Sequence, residues 1–126
     1  MKKLFVVLLA AVLGFSFVGC KRLAQVQATV DVKVVNLLDV PQEGCTVYMF
    51  TSTSWDMSHR TPIFAEDKVV TEKDGIATFE LRALDLGGDK ETFHFAVFAQ
   101  DDETIIDAKA ATVKSGDKKE LTLTVL

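Results

Sequence analysis

Alternation of apolar and polar side chains is the feature that most limits what this chain can fold into. Between residues 26 and 34, one row is apolar and the other polar: Val26, Ala28, Val30, Val32 and Val34 alternate with Gln27, Thr29, Asp31 and Lys33. Successive side chains of a β-strand point to opposite faces of a sheet. The pattern therefore predicts an antiparallel strand with one buried face and one wet face.

The same alternation returns along the chain between turn signals. Pro, Gly and Asp-Gly pairs predict turns at residues 39–44, 72–75 and 115–117, and the polar residues 100–103 predict a further hairpin turn. Strands are predicted at 45–50, 62–71, 76–81, 92–100, 104–113 and 121–125. The sequence of residues 51–61 predicts an irregular loop. That of residues 82–90 predicts a second loop, which could include one helical turn. About seven strands without an amphipathic helix predict an all-β, antiparallel two-sheet sandwich, immunoglobulin-like or transthyretin-like.

The first twenty residues have the layout of a secretory signal. Lys2 and Lys3 precede an apolar run from Leu4 to Val18, shorter than the ~20 residues that a membrane-spanning helix needs. The run ends Phe17-Val18-Gly19-Cys20, and these residues resemble the lipobox of bacterial lipoproteins, although Phe17 departs from the usual aliphatic residue. The resemblance implies cleavage before Cys20 and attachment of a diacylglyceryl group to it. The alternative is an ordinary secretory signal with a chance cysteine.

This interpretation divides the chain into three parts. Residues 1–19 are the signal peptide, residues 20–25 the lipidated Cys20 with a short tether, and residues 26–126 the folded domain. The lipid is expected to hold the domain on a membrane of the bacterial envelope. Lys21 stands where an acidic residue is linked to inner-membrane retention in some bacteria, which favours the outer membrane.

The exported part is acidic. Removal of Lys2 and Lys3 leaves 12 basic residues against 18 acidic ones, a formal net charge of −6. A nucleic-acid partner requires clustered Lys and Arg, so this class of partner is excluded. The same charge disfavours electrostatic attachment to anionic lipid and leaves the acyl chains to anchor the domain. Lipidation of Cys20 also leaves Cys45 as the only thiol, so no internal disulfide is available.

Three segments follow a common turn-and-strand pattern. They are residues 40–48 (Val-Pro-Gln-Glu-Gly-Cys-Thr-Val-Tyr), 71–79 (Thr-Glu-Lys-Asp-Gly-Ile-Ala-Thr-Phe) and 93–99 (Phe-His-Phe-Ala-Val-Phe-Ala). Together they resemble the transthyretin-like sandwiches, which include carboxypeptidase regulatory domains and B-type repeats of collagen adhesins. The resemblance covers residues 26–126 and implies a fold and accessory or surface roles, but no reaction. Some members hydrolyse a purine breakdown product, but the tyr-arg-gly-ser ending of those enzymes is missing here.

Trp55 and Phe64 are the candidate binding residues. An exposed tryptophan beside hydroxyls and an acid can stack on a sugar ring or dock a protein partner. The alternative is that Trp55 folds back as a lid over one open end of the sandwich.

Other polar residues suggest chemistry only weakly. Asp56, Ser58 and His59 invite a triad interpretation, but in one contiguous loop they are better explained as solvated groups that cap the backbone. His59 and His94 lack the further ligands of a metal site, and residues 101–103 lack the spacing of a calcium loop. Cys45 is expected to be a buried filler in the core. No catalytic residue, cofactor or metal is therefore predicted.

The predicted function is a non-catalytic envelope lipoprotein that acts as a binding or structural module. Its expected contacts are the membrane, through the lipid on Cys20, and a protein or glycan partner. The alternative is a carbohydrate-binding component or a component of adhesin or fimbrial assembly. A hydrolase of the transthyretin-like group is the third hypothesis.

Overall fold

The computed structural model describes residues 25–56, 60–86 and 90–126. The lipobox and Cys20 lie outside the described residues. The strands are β1 (Val26–Val35), β2 (Thr46–Thr51), β3 (Asp67–Val70), β4 (Ile76–Arg82), β5 (Lys90–Phe98), β6 (Ile105–Lys114) and β7 (Lys118–Thr124). A short helix α1 (Ser52–Asp56) and a 3-10 helix (Pro62–Phe64) lie between β2 and β3. No helix among the described residues is long and apolar enough to cross a membrane.

The strands form two sheets, which confirms the predicted all-β two-sheet sandwich. The three-stranded sheet has the order β4-β1-β7, and the four-stranded sheet has the order β3-β2-β5-β6. One detail of the prediction is wrong, because β1 pairs antiparallel with β4 but parallel with β7. The reason is that the turn after β6 carries the chain into the other sheet. There β7 runs in the same direction as β1 instead of forming a hairpin with β6.

The inward row of β1 lies at the centre of the core. Val30, Val32 and Val34 are fully buried, whereas the intervening Lys33 is exposed, as the alternation predicts. Between the sheets, the rings of Phe79 on β4 and Phe95 on β5 lie edge to face with centroids 5.1 Å apart. Each fully buried side chain of this size contributes about 1.5–3 kcal/mol to folding. Burial of these rows between two sheets is thus the main stabilising interaction.

The connection between β2 and β3 differs from the prediction. Part of the irregular loop predicted at 51–61 is helical, because the Thr51 hydroxyl accepts a hydrogen bond from the Ser54 N–H (3.2 Å) and stabilises the first turn of α1. The strand predicted at 62–71 is confirmed only for Asp67–Val70. Before it, Pro62 begins the 3-10 helix, a position where the missing N–H of proline costs no hydrogen bond.

Strand directions define two ends of the sandwich. The start of β1 and the connections that follow β2, β4 and β6 lie at one end, which we call the proximal end. The loops 36–45, 71–75 and 99–104 lie at the opposite, distal end. Residues 125–126 also lie there, because β7 runs parallel to β1. The chain therefore reaches the domain from the proximal side.

The distal loops are joined around Gly75. The Val34 N–H donates a hydrogen bond to the Gly75 carbonyl oxygen, and the Gln42 N–H donates to the Val34 carbonyl oxygen, each at 2.8 Å. Gly75 has a φ of +77°, and a Cβ there would lie 2.8 Å from Pro41 Cβ and 2.9 Å from the Val34 oxygen. Glycine is therefore required here both by the backbone conformation and by the available space.

Replacement of Gly75 by alanine is expected to lower the free energy of unfolding by about 3 kcal/mol, because the methyl group adds steric overlap to a strained φ. Gly116 has a φ of +92°, but a Cβ there meets no atom within 4 Å. Gly116→Ala is thus the matched control, with an expected loss of about 1 kcal/mol from the φ alone. Urea unfolding measures both variants. Equal losses would contradict the packing role of Gly75.

Candidate functional site

The outer face of the four-stranded sheet carries a second apolar cluster. Val47 and Met49 on β2 face the core, so Tyr48 and Phe50, which alternate with them along the strand, face outwards. Opposite them on β5 lie Ala96 and His94. The Trp55 cluster, as we call it, consists of Phe50, Trp55 and Ala96, with His94 stacked on Trp55 and Tyr48, Ala65, Phe98, Ile105 and Ala108 packed around them.

Trp55 is held against this face by three neighbours. Its indole stacks on the His94 imidazole, with centroids 4.9 Å and planes 7° apart. The Phe50 ring lies at a centroid distance of 5.3 Å. The Arg60 guanidinium carbon lies 4.6 Å from the indole centroid, and Arg60 Nε donates a hydrogen bond to the Trp55 carbonyl oxygen at 3.0 Å. Only 8% of Trp55 is exposed, so the indole is part of the packed structure.

Trp55 folds back onto the domain, as the lid hypothesis predicts, but it covers a different surface. The hypothesis places the indole over an open end of the sandwich, whereas it lies on the outer face of the four-stranded sheet. The physical reason is that the outward rows of β2 and β5 are apolar and α1 follows β2 directly. Binding of a sugar or protein by the face of Trp55 stays a prediction, and it requires access to a ring that His94 and Arg60 contact.

Phe64 lies further along the same connection, on the 3-10 helix. It is 47% exposed, and its neighbour Ile63 is more exposed still. Ala65, the next residue, packs against the Trp55 cluster. The two candidate binding residues therefore differ in environment, since Trp55 is buried and Phe64 is accessible. A binding role for Phe64 likewise stays a prediction.

Burial lowers the pKa of His94 below its ordinary value, because the packed surroundings disfavour the charged imidazolium. Nearby Asp56 raises the pKa of His94 and nearby Arg60 lowers it, so these two charges act in opposite directions. At neutral pH the imidazole is accordingly uncharged. A neutral ring can stack on Trp55 without desolvating a charge.

The structure does not place all the residues of the triad and metal hypotheses. Ser58 and His59 lie outside the described residues, which leaves Asp56 and His94 as the members that can be placed. Within the described ranges, no group of three His, Cys, Asp or Glu side chains could hold a metal ion.

Asp101 has a local role in the turn between β5 and β6. Its carboxylate accepts hydrogen bonds from the N–H groups of Glu103 and Thr104 (each 3.0 Å) and from the Thr104 hydroxyl (2.8 Å). The backbone hydrogen bonds from Thr104 and Glu103, with that from the Thr104 hydroxyl, lower the pKa of Asp101. The hydrogen bonds agree with the interpretation of residues 101–103 as a polar hairpin tip.

Cys45 lies immediately before β2 and is half-buried. Its side chain packs against the core beside a row in which Val47 and Met49 are buried. Burial also raises the pKa of the Cys45 thiol, which favours the protonated form. The expected role as a core filler is confirmed in part, since the side chain packs on the core without being fully enclosed.

The distal end carries an exposed apolar surface that alternation alone does not identify. Leu37 is 72% exposed and Leu38 is 83% exposed, and Val40 on the same loop and Leu126 at the same end of the sandwich are also exposed. Leu126 is placed near the loop because the Val125 N–H donates a hydrogen bond to the Val35 carbonyl oxygen at 2.8 Å. We call Leu37, Leu38, Val40 and Leu126 the distal tip. The available sequence signal was the adjacent Leu37-Leu38 pair, which interrupts the alternation just before a turn.

Charged residues are distributed unevenly between the two ends. The distal loops contain one basic residue, Lys73, and seven acidic residues: Asp39, Glu43, Glu72, Asp74, Asp101, Asp102 and Glu103. Among the described residues, the proximal connections and strand ends carry six basic and six acidic residues: Arg60, Arg82, Lys90, Lys114, Lys118 and Lys119 against Asp56, Glu66, Asp67, Asp85, Glu91 and Asp117. The negative charge of the domain is therefore concentrated around the distal tip.

Trp55→Ala is expected to lower the free energy of unfolding by about 3 kcal/mol, because it uncovers the apolar outer face. The control Phe64→Ala, which removes a half-exposed ring from the same connection, should cost less than about 1 kcal/mol. Urea unfolding measures both. Trp55 is the only tryptophan, so short-wavelength emission and weak iodide quenching provide an independent check. A Trp55→Ala variant as stable as the wild type would rule out this covering role.

The stability should also depend on pH through His94. Burial holds its folded-state pKa below the unfolded value of about 6.5, so the unfolded state binds the proton more tightly. The stabilisation by the neutral ring is present above about pH 6.5 and is lost as the pH falls through the folded-state pKa. The unfolding free energy of the wild type, minus that of His94→Gln, should therefore decrease between about pH 7.5 and 5. A difference that grows on acidification would show that the sign is wrong.

Comparison with known proteins gives structural similarity alone. No family model and no curated protein matches the chain. The fold is similar to the Bacillus anthracis TIE protein, with a TM-score of 0.50 and 14% identity over 76% of this chain and 16% of that one. The chain is also similar to 3-chlorocatechol 1,2-dioxygenase from Rhodococcus opacus 1CP, with a TM-score of 0.40 and 9% identity over 79% of this chain and 59% of that one. It thus spans less than two thirds of either protein. The similarity to the TIE protein concerns the fold, and the transthyretin-like subclass stays a prediction.

Proposed function

We propose that this chain is a non-catalytic lipoprotein of the bacterial envelope, a binding or structural module held by a lipid on Cys20. The observation that carries the proposal is the separation of the two ends of the sandwich. β1 begins at the proximal end, whereas the exposed Leu37 and Leu38 lie at the distal end. A module tethered by its N-terminal side presents the distal tip away from the membrane, where a partner can reach it.

The sequence before the domain supports a close attachment to the membrane. Residues 21–25 extend at most about 18 Å, which keeps the proximal end near the lipid on Cys20. Basic and acidic residues are equal in number among the described residues at that end, whereas the net negative charge lies in the distal loops, which point the other way. The negative charge of the exported part is therefore mostly directed away from the membrane when the proximal end faces it.

The positions of the reactive side chains favour a role without catalysis. Among the described residues, His94 lies under Trp55 on the outer face of a sheet, and Cys45 packs on the core at the distal end. The carboxylate of Asp101 is engaged in its own turn. A catalytic site requires a nucleophile, a base and an orienting group within hydrogen-bond reach of one another. His94 lies in the middle of β5, whereas Cys45 on the core and Asp101 in its own turn both lie at the distal end.

The alternative is a carbohydrate-binding component or a component of adhesin or fimbrial assembly. The observation that favours it is the exposed pair Ile63 and Phe64 on the connection between β2 and β3. An accessible aromatic ring can stack on a sugar or anchor a protein partner. Under this alternative the binding surface lies on the side of the four-stranded sheet and not at the distal tip.

The lipid anchor is tested by intact mass and membrane fractionation of the wild type, Cys20→Ala and Cys45→Ala. The wild type and Cys45→Ala should carry acyl mass and sediment with membranes. Cys20→Ala should remain an unprocessed precursor without acyl mass, because the sulfur that accepts the lipid is absent. Cys45→Ala is the matched control, since it removes the other thiol of the chain. Release of all three as cleaved, unacylated protein would contradict the proposal.

A further inference from the structure

We infer that the distal tip binds a basic protein segment that also carries apolar side chains. This inference rests on the proposed function only in taking the domain to be a binding module. It adds the position of the binding surface and the chemical class of the partner. Apolar side chains of the partner would cover Leu37 and Leu38, and its lysines or arginines would face the surrounding carboxylates.

The loop that carries the two leucines is held in one conformation by its own hydrogen bonds. The Asn36 side-chain oxygen accepts hydrogen bonds from the N–H groups of Leu38 (2.9 Å) and Val40 (3.0 Å). The Asn36 N–H donates to the Val40 carbonyl oxygen at 3.0 Å, and Val35 bridges to Pro41 at the base of the loop. The leucines are therefore exposed on a loop whose conformation is fixed by hydrogen bonds. A partner would lose little free energy in ordering it.

The loop conformation also pairs backbone polar groups within the loop. Asp39 adopts a φ of +65°, and its N–H donates a hydrogen bond to the Asn36 carbonyl oxygen at 3.0 Å. With these backbone groups paired inside the loop, the side chains of Leu37, Leu38 and Asp39 are left exposed. Exposed apolar side chains grouped on an ordered loop, with the exposed Leu126 at the same end of the sandwich, are typical of a surface that is covered in a complex.

The charges around the tip select the partner. Seven carboxylates and a single lysine occupy the distal loops. Complementary charge accelerates association and excludes like-charged partners. A second copy of the chain would bring another acidic end, and an anionic bilayer would be repelled. A basic segment with apolar side chains would cover the leucines and also pair its positive charges with the carboxylates.

The test uses labelled synthetic peptides and the protein as cells make it, in phosphatidylcholine nanodiscs if it is acylated. A peptide of alternating leucine and lysine should bind, measured by fluorescence anisotropy. A leucine–glutamate peptide and a serine–lysine peptide should bind at least about tenfold more weakly than the leucine–lysine peptide. The first lacks the positive charges and the second lacks the apolar side chains. Binding of the leucine–lysine peptide should also weaken at about 1 M salt, where the screening length is ~3 Å.

Variants locate the site. The double variant Leu37→Ser/Leu38→Ser and the triple variant Asp39→Asn/Glu43→Gln/Glu72→Gln should each reduce binding of the leucine–lysine peptide about tenfold. The matched control Ile63→Ser/Leu84→Ser removes two equally exposed apolar side chains away from the tip and should leave binding unchanged. Unaltered emission of Trp55 shows that each variant is folded.

Four outcomes would overturn the inference. They are equal binding of the leucine–glutamate peptide, loss of binding in the Ile63→Ser/Leu84→Ser control but not at the tip, tip-dependent self-association seen by sedimentation, and tip-dependent binding to anionic vesicles. Self-association would assign the surface to a second copy, and vesicle binding would assign it to lipid. None of these measurements depends on acylation of Cys20, so failure of the lipid anchor is a separate result.

Discussion

Strand β1 is hydrogen-bonded along both edges, to β4 on one side and to β7 on the other, while Val30, Val32 and Val34 project into the core. The arrangement of the three-stranded sheet depends on this central strand. Its distal end also positions the neighbouring loops, because Val34 exchanges backbone hydrogen bonds with Gly75 and Gln42. The parallel pairing with β7 places Leu126 beside the loop that follows β1. The distal surface is thus a direct consequence of how β1 is paired.

The four-stranded sheet is apolar on both faces, which creates a second requirement. One face is covered by the other sheet, but Tyr48 and Phe50 project outwards and need cover of their own. The connection after β2 supplies it, because α1 places Trp55 on that face and Arg60 holds the end of α1 by its hydrogen bond to the Trp55 carbonyl oxygen. Trp55 therefore contributes to folding, and the burial of His94 beside it lowers the pKa of that imidazole.

These two features together favour a binding module with distinct ends. The proximal end carries the start of β1 and a balance of basic and acidic residues, whereas the distal end combines carboxylates with exposed leucines. Strand direction alone produces this polarity, since every loop at one end of a sandwich is separated from the other end by the length of the strands. A lipid tether on the N-terminal side would orient such a domain without further contacts.

The sequence by itself determined the features that depend on near neighbours. The alternation in β1 and the Asp74-Gly75 turn are set by residues a few positions apart, and both are confirmed. The lipobox is equally local, and it stays a prediction because Cys20 lies outside the described residues. Only the tertiary structure decided that β7 pairs with β1, that Trp55 covers an outer sheet face, and that Leu38 lies at the same end as Leu126. Each of these depends on contacts between residues far apart in the chain, and periodicity tells which face of a strand is buried but not what covers it.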